Sequence, residues 1–198
     1  MERRRRTALK ALAAAPLLGV MPTLAHSPDG GPINVVGFGY CGGRIVRRLA
    51  EERCGVSDSD FLAAEDPNPD RGVPPFEVLG KTGAHHLGRP LVVLTGVSSR
   101  SRGEHAWRRA VEWSEVQHSI IAPVVVLGFE FEGSYRNHGI ALAERFVERF
   151  GTVSLIDNQA ISEQCLSPIN NISLLDLWAR INDHAMPRIE RAIAMSRT

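Results

Sequence analysis

The chain has 198 residues, enough for one ordinary domain with a real core. Apolar residues make up 43% and charged residues 23%, the balance of a soluble globular protein and not of a disordered or fibrous one. The formal net charge is +1, so the chain as a whole makes no electrostatic case for nucleic acid as a partner.

The charge is unevenly spread. Arg3 to Arg6 stand together at the extreme N-terminus, ahead of the short apolar run "ALAAAPLLGVMPTLA", which Pro16 and Pro22 interrupt. Thr23-Leu24-Ala25 then offers a small-x-small cleavage site before His26. Residues 1–27 therefore read as a targeting segment, too short and broken for a comfortable spanning helix. The run "RRTALK" resembles the twin-arginine export signal, with Arg5, Arg6, Leu9 and Lys10 matching and Ala8 in place of Phe. The resemblance implies export of a folded protein to a bacterial periplasm. Two other readings stay open. The segment remains uncleaved and is then the only membrane contact, or translation starts at Met21 and the protein is cytoplasmic. Residues 28–198 are expected to form a single domain.

Cys41, Cys54 and Cys165 are odd in number and lack CxxC spacing, so they indicate neither a zinc site nor a disulfide framework. After the linker "HSPDGGP", "INVVGF" reads as a strand and "GRIVRRLAEER" as an amphipathic helix. "DFLAAE" is a second strand, and residues 66–90, dense in Pro and Gly, read mostly as loop. "LVVLTG" is a continuous apolar run, the mark of a strand buried on both faces. A helix over about 103–119 is expected to turn Trp107, Ala110, Val111 and Ser114 inward. "IIAPVVVLGFEF" reads as another buried strand, followed by a helix over about 134–150 with Ile140, Ala143, Val147 and Phe150 at helical spacing. "TVSLID" is a strand, and a last helix from about Asn171 carries Leu174, Leu175, Trp178, Ile181 and Ala185, with Pro187 expected to kink or split it. The alternation predicts an α/β fold, a three-layer Rossmann-like parallel sheet with helices on both faces. Ligands of such folds bind beyond the carboxyl ends of the strands.

Gly37, Gly39 and Gly42 satisfy GxGxxG between a strand and a helix, and Gly43 extends the motif. Glycines let backbone N–H groups approach an anion, and the helix N-terminus adds a favourable dipole. One site that fits is a Rossmann dinucleotide site binding NAD in an oxidoreductase, with Glu65 or Asp66 at the end of the second strand as the acid it wants. No general acid or base constellation supports catalysis. His85-His86 lacks a carboxylate partner and reads as loop, so no metal is expected.

The later segments point to a different phosphate site. "APVVVLGFEFEGSYRNHGIALAERF" resembles the FtsZ segment in which a strand leads to Phe-x-Phe-Glu-Gly and a helix, with Phe129, Phe131, Glu132, Gly133 and then Arg136 in order. "VSLIDNQAI" resembles the next strand and its Ile-Pro-Asn-Asp loop, and "NNISLLDLWARIND" the start of the central helix. "INVVGFGYCGGRIV" fits the first glycine loop of the FtsZ/tubulin GTPases. The resemblance covers most of residues 33–186. It implies the FtsZ/tubulin type of nucleotide-binding domain and a site for GTP or GDP; it leaves magnesium open. Gly37, Gly39, Tyr40, Cys41, Gly42 and Gly43 would wrap the phosphates, and Gly96 would remain of a second loop. Glu132 would accept from ribose hydroxyls, Arg136 would lie against the nucleotide, and Asn158 and Asn171 would meet the base. Read alone, Glu132 and Arg136 would form an exposed ion pair, Asn158 a turn and Asn171 a helix cap.

The departures shape the functional expectation. Where the family carries Gly-Gly-Gly-Thr-Gly-Thr-Gly, this chain reads "TGVSSRSRGEHAW", and Ser98, Ser99, Arg100, Ser101 and Arg102 replace most of the glycines. Arg100 and Arg102 would attract an anion as charges and not as a backbone cradle. Ile172 stands where an Asp is usual, and the family's catalytic segment and second domain have no counterpart before Thr198. A periplasmic location would also leave little GTP within reach. These features imply a truncated, degenerate, weakly binding or non-hydrolysing module, with a protein partner or self-association as its output.

Overall fold

The computed structural model describes residues 31–57, 60–65, 76–79, 89–96, 100–116, 120–166 and 173–197, which belong to one unit, Gly31–Thr198. Six strands form one sheet in the order β3-β2-β1-β4-β5-β6. β1 (Asn34–Phe38), β2 (Phe61–Glu65), β4 (Leu91–Gly96), β5 (Ile121–Leu127) and β6 (Ser154–Asp157) are parallel, and β3 (Phe76–Val78) joins β2 antiparallel at the edge. Register is direct: Val36 stands beside Ala63 on one side and Val93 on the other. Every residue of β1, β2 and β4 is buried, which explains why their sequences run apolar without alternation.

Helices cover both faces. Val35, Leu62, Leu94, Val124 and Val126 pack beneath α1 (Gly39–Glu52), α4 (Asn158–Leu166) and α5 (Leu174–Met195), which contribute Val46, Leu49, Ile161, Ile181, Ile189 and Ile193. Val36, Phe38, Ala63, Val93, Val125 and Leu127 face α2 (Arg100–Val116) and α3 (Ser134–Phe150), whose Ala106, Ala110, Trp113, Leu142 and Phe146 complete the opposite core. The expected three-layer α/β architecture is thus observed. Asp60 ties its two ends: this fully buried carboxylate accepts from the N–H of Ile33 and Ser57 and pairs with Arg197, just beyond α5.

Several elements differ from the expectation. β3 lies inside the stretch read as loop, and its three residues are too few to show a period. "GFEF" does not continue β5; Glu130–Glu132 form a 3₁₀ turn. α2 turns Ala106, Ala110 and Trp113 inward, so Val111 and Ser114 sit at its half-buried flank. Trp107 packs on Phe146 at 5.5 Å between ring centres, with the Arg145 guanidinium 4.4 Å over its ring. On α3, Leu142 and Phe146 take the core positions and Val147 is exposed. α5 runs through Pro187 as one helix, held on its preceding turn by Arg48 of α1, which donates to Asp183 at 2.9 Å. α4 was not expected at all. The inward positions read for Leu174, Leu175 and Trp178, and the segment 1–27, lie outside the described residues and side chains.

Candidate functional site at the carboxyl end of the sheet

The chain leaves β1 for β2 and β3 on one side, then returns across to β4 on the other. The switch point lies between β1 and β4, and the two following helices lie on opposite faces of the sheet. That crevice is where open α/β sheets hold ligands. The glycine turn fills its floor. A Cβ on Gly37 would stand 2.1 Å from the Gly42 carbonyl oxygen, and one on Gly42 would stand 2.1 Å from the Leu94 carbonyl oxygen of β4. Gly39 has φ of +65°, a left-handed conformation suited to glycine. A Cβ on Gly96 would come within 2.7 Å of Cys41. Packing alone therefore requires Gly37, Gly42 and Gly96. Gly43 is different, because the nearest atom to its added Cβ is the flexible Arg47 guanidinium at 3.3 Å.

What remains for a ligand is the turn's backbone. Phe38 caps α1 without any side-chain hydrogen bond, so the first-turn N–H groups lack an intrahelical or capping acceptor. These groups and the helix dipole give the start of α1 a positive potential. Tyr40 is exposed, and its hydroxyl accepts from Arg44 at 2.9 Å. The Cys41 thiol is pushed up to about 11, chiefly by burial, against a smaller downward pull from Arg44 and with a further push from Glu132. It is a neutral thiol at physiological pH and no nucleophile.

Opposite the turn, Glu132 folds back over β5's end. Its Oε2 accepts from the Phe129 N–H at 2.7 Å, and Gly128 leaves the room, since a Cβ there would stand 2.0 Å from that oxygen. Arg136, in the first turns of α3, does not pair with Glu132. Its Nη1 donates to Asp157 Oδ1 at 2.8 Å and to the Gly128 carbonyl at 2.5 Å, and its Nη2 donates to Asp157 Oδ2 at 2.7 Å. Asp157 also caps α4 by accepting from the N–H of Gln159 at 3.0 Å and Ala160 at 3.4 Å. Burial pushes this carboxyl up, but the Arg136 bonds and charge and the two backbone bonds outweigh it and hold it below the usual range. Asn158 is the first residue of α4 and is buried.

Geometry thus gathers Gly37 to Gly43, Gly96, Glu132, Arg136 and Asn158 onto the loops beyond β1, β4, β5 and β6. Asn171, Asp66, the His85-His86 pair and the Arg100 and Arg102 side chains lie outside what is described. Glu65 goes elsewhere. It is 2% exposed, lies 3.1 Å from His105 Nε2 and 3.5 Å from Arg109 Nε, and faces α2. A carboxylate held this way does not present itself to a ribose, which removes Glu65 as the acid that an NAD site would use. Asp157, His105 and Arg109 were not singled out from sequence. An Asp closing a strand and heading a helix is a readable cap signal for the first; nothing local marks the other two.

No family model matches the chain, and no curated protein sequence matches it. Solved structures do. An empty FtsZ dimer from M. jannaschii superposes with a TM-score of 0.59 at 15% identity, covering 98% of this chain and 59% of that one. The GTPγS-bound protofilament of CetZ2 from Haloferax volcanii gives 0.56 at 16%, covering 85% and 60%. The GDP-bound monomer of CetZ1 from the same organism gives 0.53 at 13%, covering 79% and 58%. The fold is therefore that of the FtsZ/tubulin nucleotide-binding domain, and the chain spans about three-fifths of the length of each of these proteins.

Proposed function

We propose that the chain is a guanine-nucleotide-binding module of the FtsZ/tubulin type, holding GTP or GDP weakly without turning it over. The observation that carries the reading is the glycine turn. It sits at the β1–β4 switch point, its first-turn N–H groups are free of any side-chain cap, and Glu132 faces it from β5's end. The CetZ structures that share the fold hold GTPγS and GDP. In this reading the turn's N–H groups meet phosphate, Glu132 accepts from ribose hydroxyls, and Asn158 and Asn171 serve the base. Absence of turnover rests on Ser98 to Arg102 standing where the family carries glycines.

The output is association. The CetZ2 structure is a protofilament and the FtsZ structure a dimer. This chain exposes Tyr40, Phe131 and Tyr135 on loops and helix starts at the ligand end, with Phe131 81% exposed and stacked on Phe129 at 5.0 Å. Residues 1–27 act as the export signal in this reading, and replacing Arg5 and Arg6 by Lys blocks delivery of a fused reporter to the periplasm. Titration calorimetry of the protein with GTP, GDP and NAD, with and without magnesium, tests the site. Saturable GTP or GDP binding, weakened by Glu132→Ala, is expected. NAD binding alone, or silence with all three from folded protein, overturns the reading.

A further inference from the structure

The amino end of the sheet, opposite the glycine turn, holds a cleft of its own. β5 starts at Ile121, but β6 pairs with it only from Val124, which stands opposite Ser154. Ahead of that pair, the outer edge of β5 has no strand beside it among the described residues. Pro123 lies in this stretch and brings no N–H to it. The last turn of α5 spans the gap with Ala192 and Met195 and leaves a cleft of about 420 Å³. That volume is in the range of small-molecule sites, roughly 300–1,000 Å³. The wall is mostly apolar, and the exposed side chains of Ile120 and Met195 belong to it. Its charged groups are two arginines, and among the described residues no carboxylate lines it. Arg197 is already satisfied, since it pairs with Asp60 and donates to the Gly31 carbonyl at 3.3 Å. Arg89 is exposed, and its guanidinium lies against Gly31 of the same wall, where an added Cβ would stand 2.8 Å from Nη1.

We propose that this cleft is a second ligand site, independent of the nucleotide reading, for an amphipathic carboxylate whose apolar chain lies between β5 and α5 and whose head meets Arg89. Charge complementarity carries the choice of ligand. An apolar cleft rewards an apolar body, and a wall with an arginine and no acid rewards one anionic head. A guanidinium offers a carboxylate two parallel N–H groups. An apolar cavity of about 150 Å³ takes benzene, so this cleft has room for a chain of about eight to ten carbons. Gly31 is part of the design, because a side chain there would push the Arg89 guanidinium away from the wall.

The experiment is calorimetry of the full-length protein with hexanoate, octanoate, decanoate and uncharged octanol, each below its micelle concentration. Saturable binding of one carboxylate per chain is expected, tightening about threefold for each added CH₂. Arg89→Gln should weaken octanoate about fivefold and leave octanol within about twofold. Met195→Glu sets a like charge in the wall and should weaken octanoate about fivefold or more. Both positions are exposed, so neither substitution threatens the fold. Binding that ignores chain length, or octanoate and octanol falling equally in Arg89→Gln, overturns the proposal, because either places the ligand elsewhere. Silence with all four ligands from folded protein also overturns it. Sedimentation adds one more outcome: self-association abolished by Met195→Glu, with no carboxylate bound, assigns the cleft to a second copy of the chain and overturns the proposal.

Discussion

Gly42 and Gly43 are neighbours in one helix and in one motif, yet the structure assigns them opposite responses to a single methyl group. A Cβ on Gly42 would stand 2.1 Å from the Leu94 carbonyl oxygen and 2.9 Å from its carbon. Ordinary contact needs roughly 3.4 Å or more, so the start of α1 or the end of β4 must move by about 1 Å. Both are pinned: β4 by two parallel neighbours and α1 by Val46 and Leu49 in the core. Overpacking of this kind costs about 1–3 kcal/mol, and because the opposing atoms are backbone the upper end applies. Against that, Gly→Ala within a helix gains about 1 kcal/mol. Gly42→Ala should therefore lose about 2 kcal/mol net. Gly43→Ala meets only Arg47 Nη1 at 3.3 Å and the Ala64 methyl at 3.6 Å, so it should be neutral or stabilising by up to about 1 kcal/mol. Urea unfolding followed by circular dichroism measures both, and the 2 kcal/mol loss corresponds to about 4–8 °C in thermal midpoint for a chain of this size. Equal effects of the two substitutions with unchanged m-values would refute the claim that Gly42 is fixed by packing.

Arg136→Ala leaves Asp157 half-buried without its cation and should destabilise by about 2 kcal/mol in the same unfolding assay. The Asp157 carboxyl is held below its ordinary 3.8, so its contribution is fully present above that pH and is lost as pH falls through the lowered folded value. Asp157→Asn should accordingly flatten the acid limb of a stability–pH curve below about pH 4. The thiols of Cys41 and Cys54, both pushed up to about 11 from 9.0 chiefly by burial, should carry about a hundredfold less thiolate at pH 8 than free cysteine. Alkylation in the native protein should then be slow and accelerate on unfolding; rapid native alkylation contradicts the assigned environments. Phe146→Ala, at a fully buried position between α2 and the sheet, should cost about 3–5 kcal/mol.

The parallel strands were legible because burial on both faces erases polar alternation, leaving runs such as "LVVLTG" that only a central strand tolerates. β3 was not, since three residues just after Pro74-Pro75 carry no period. α4 was hidden for a related reason. Its nine residues follow β6 directly, and only Asp157, as a cap, announces them. At the site, the glycine spacing was readable but its cause was not. Gly42 answers to a carbonyl on β4, and Gly96 to a side chain on α1. The ion pair that helix spacing offers to Glu132 and Arg136 does not form, since Glu132 belongs to the 3₁₀ turn and not to α3. The partner Arg136 takes is 21 residues away and reaches it only because β6 lies beside β5, with Asp157 opposite Leu127. Glu65 misled in the same manner, because α2 brings His105 back to it over 40 residues. Local rules saw the residues; tertiary register chose their partners.

The clamp between Asp60 and Arg197 bears on how the protein is made. One face of the sheet, with Val35, Leu62, Val124 and Ile156, is roofed in part by α5, and α5 ends two residues before the arginine that fastens it to Asp60. On the ribosome that helix emerges after every strand of the sheet. Until it has cleared the exit tunnel, the nascent sheet shows a greasy, unroofed side to the cell, and no amount of early strand pairing can hide it. This face is therefore closed only after all six strands have been made. The interval before roofing is when chaperones, proteases or aggregation would compete for it.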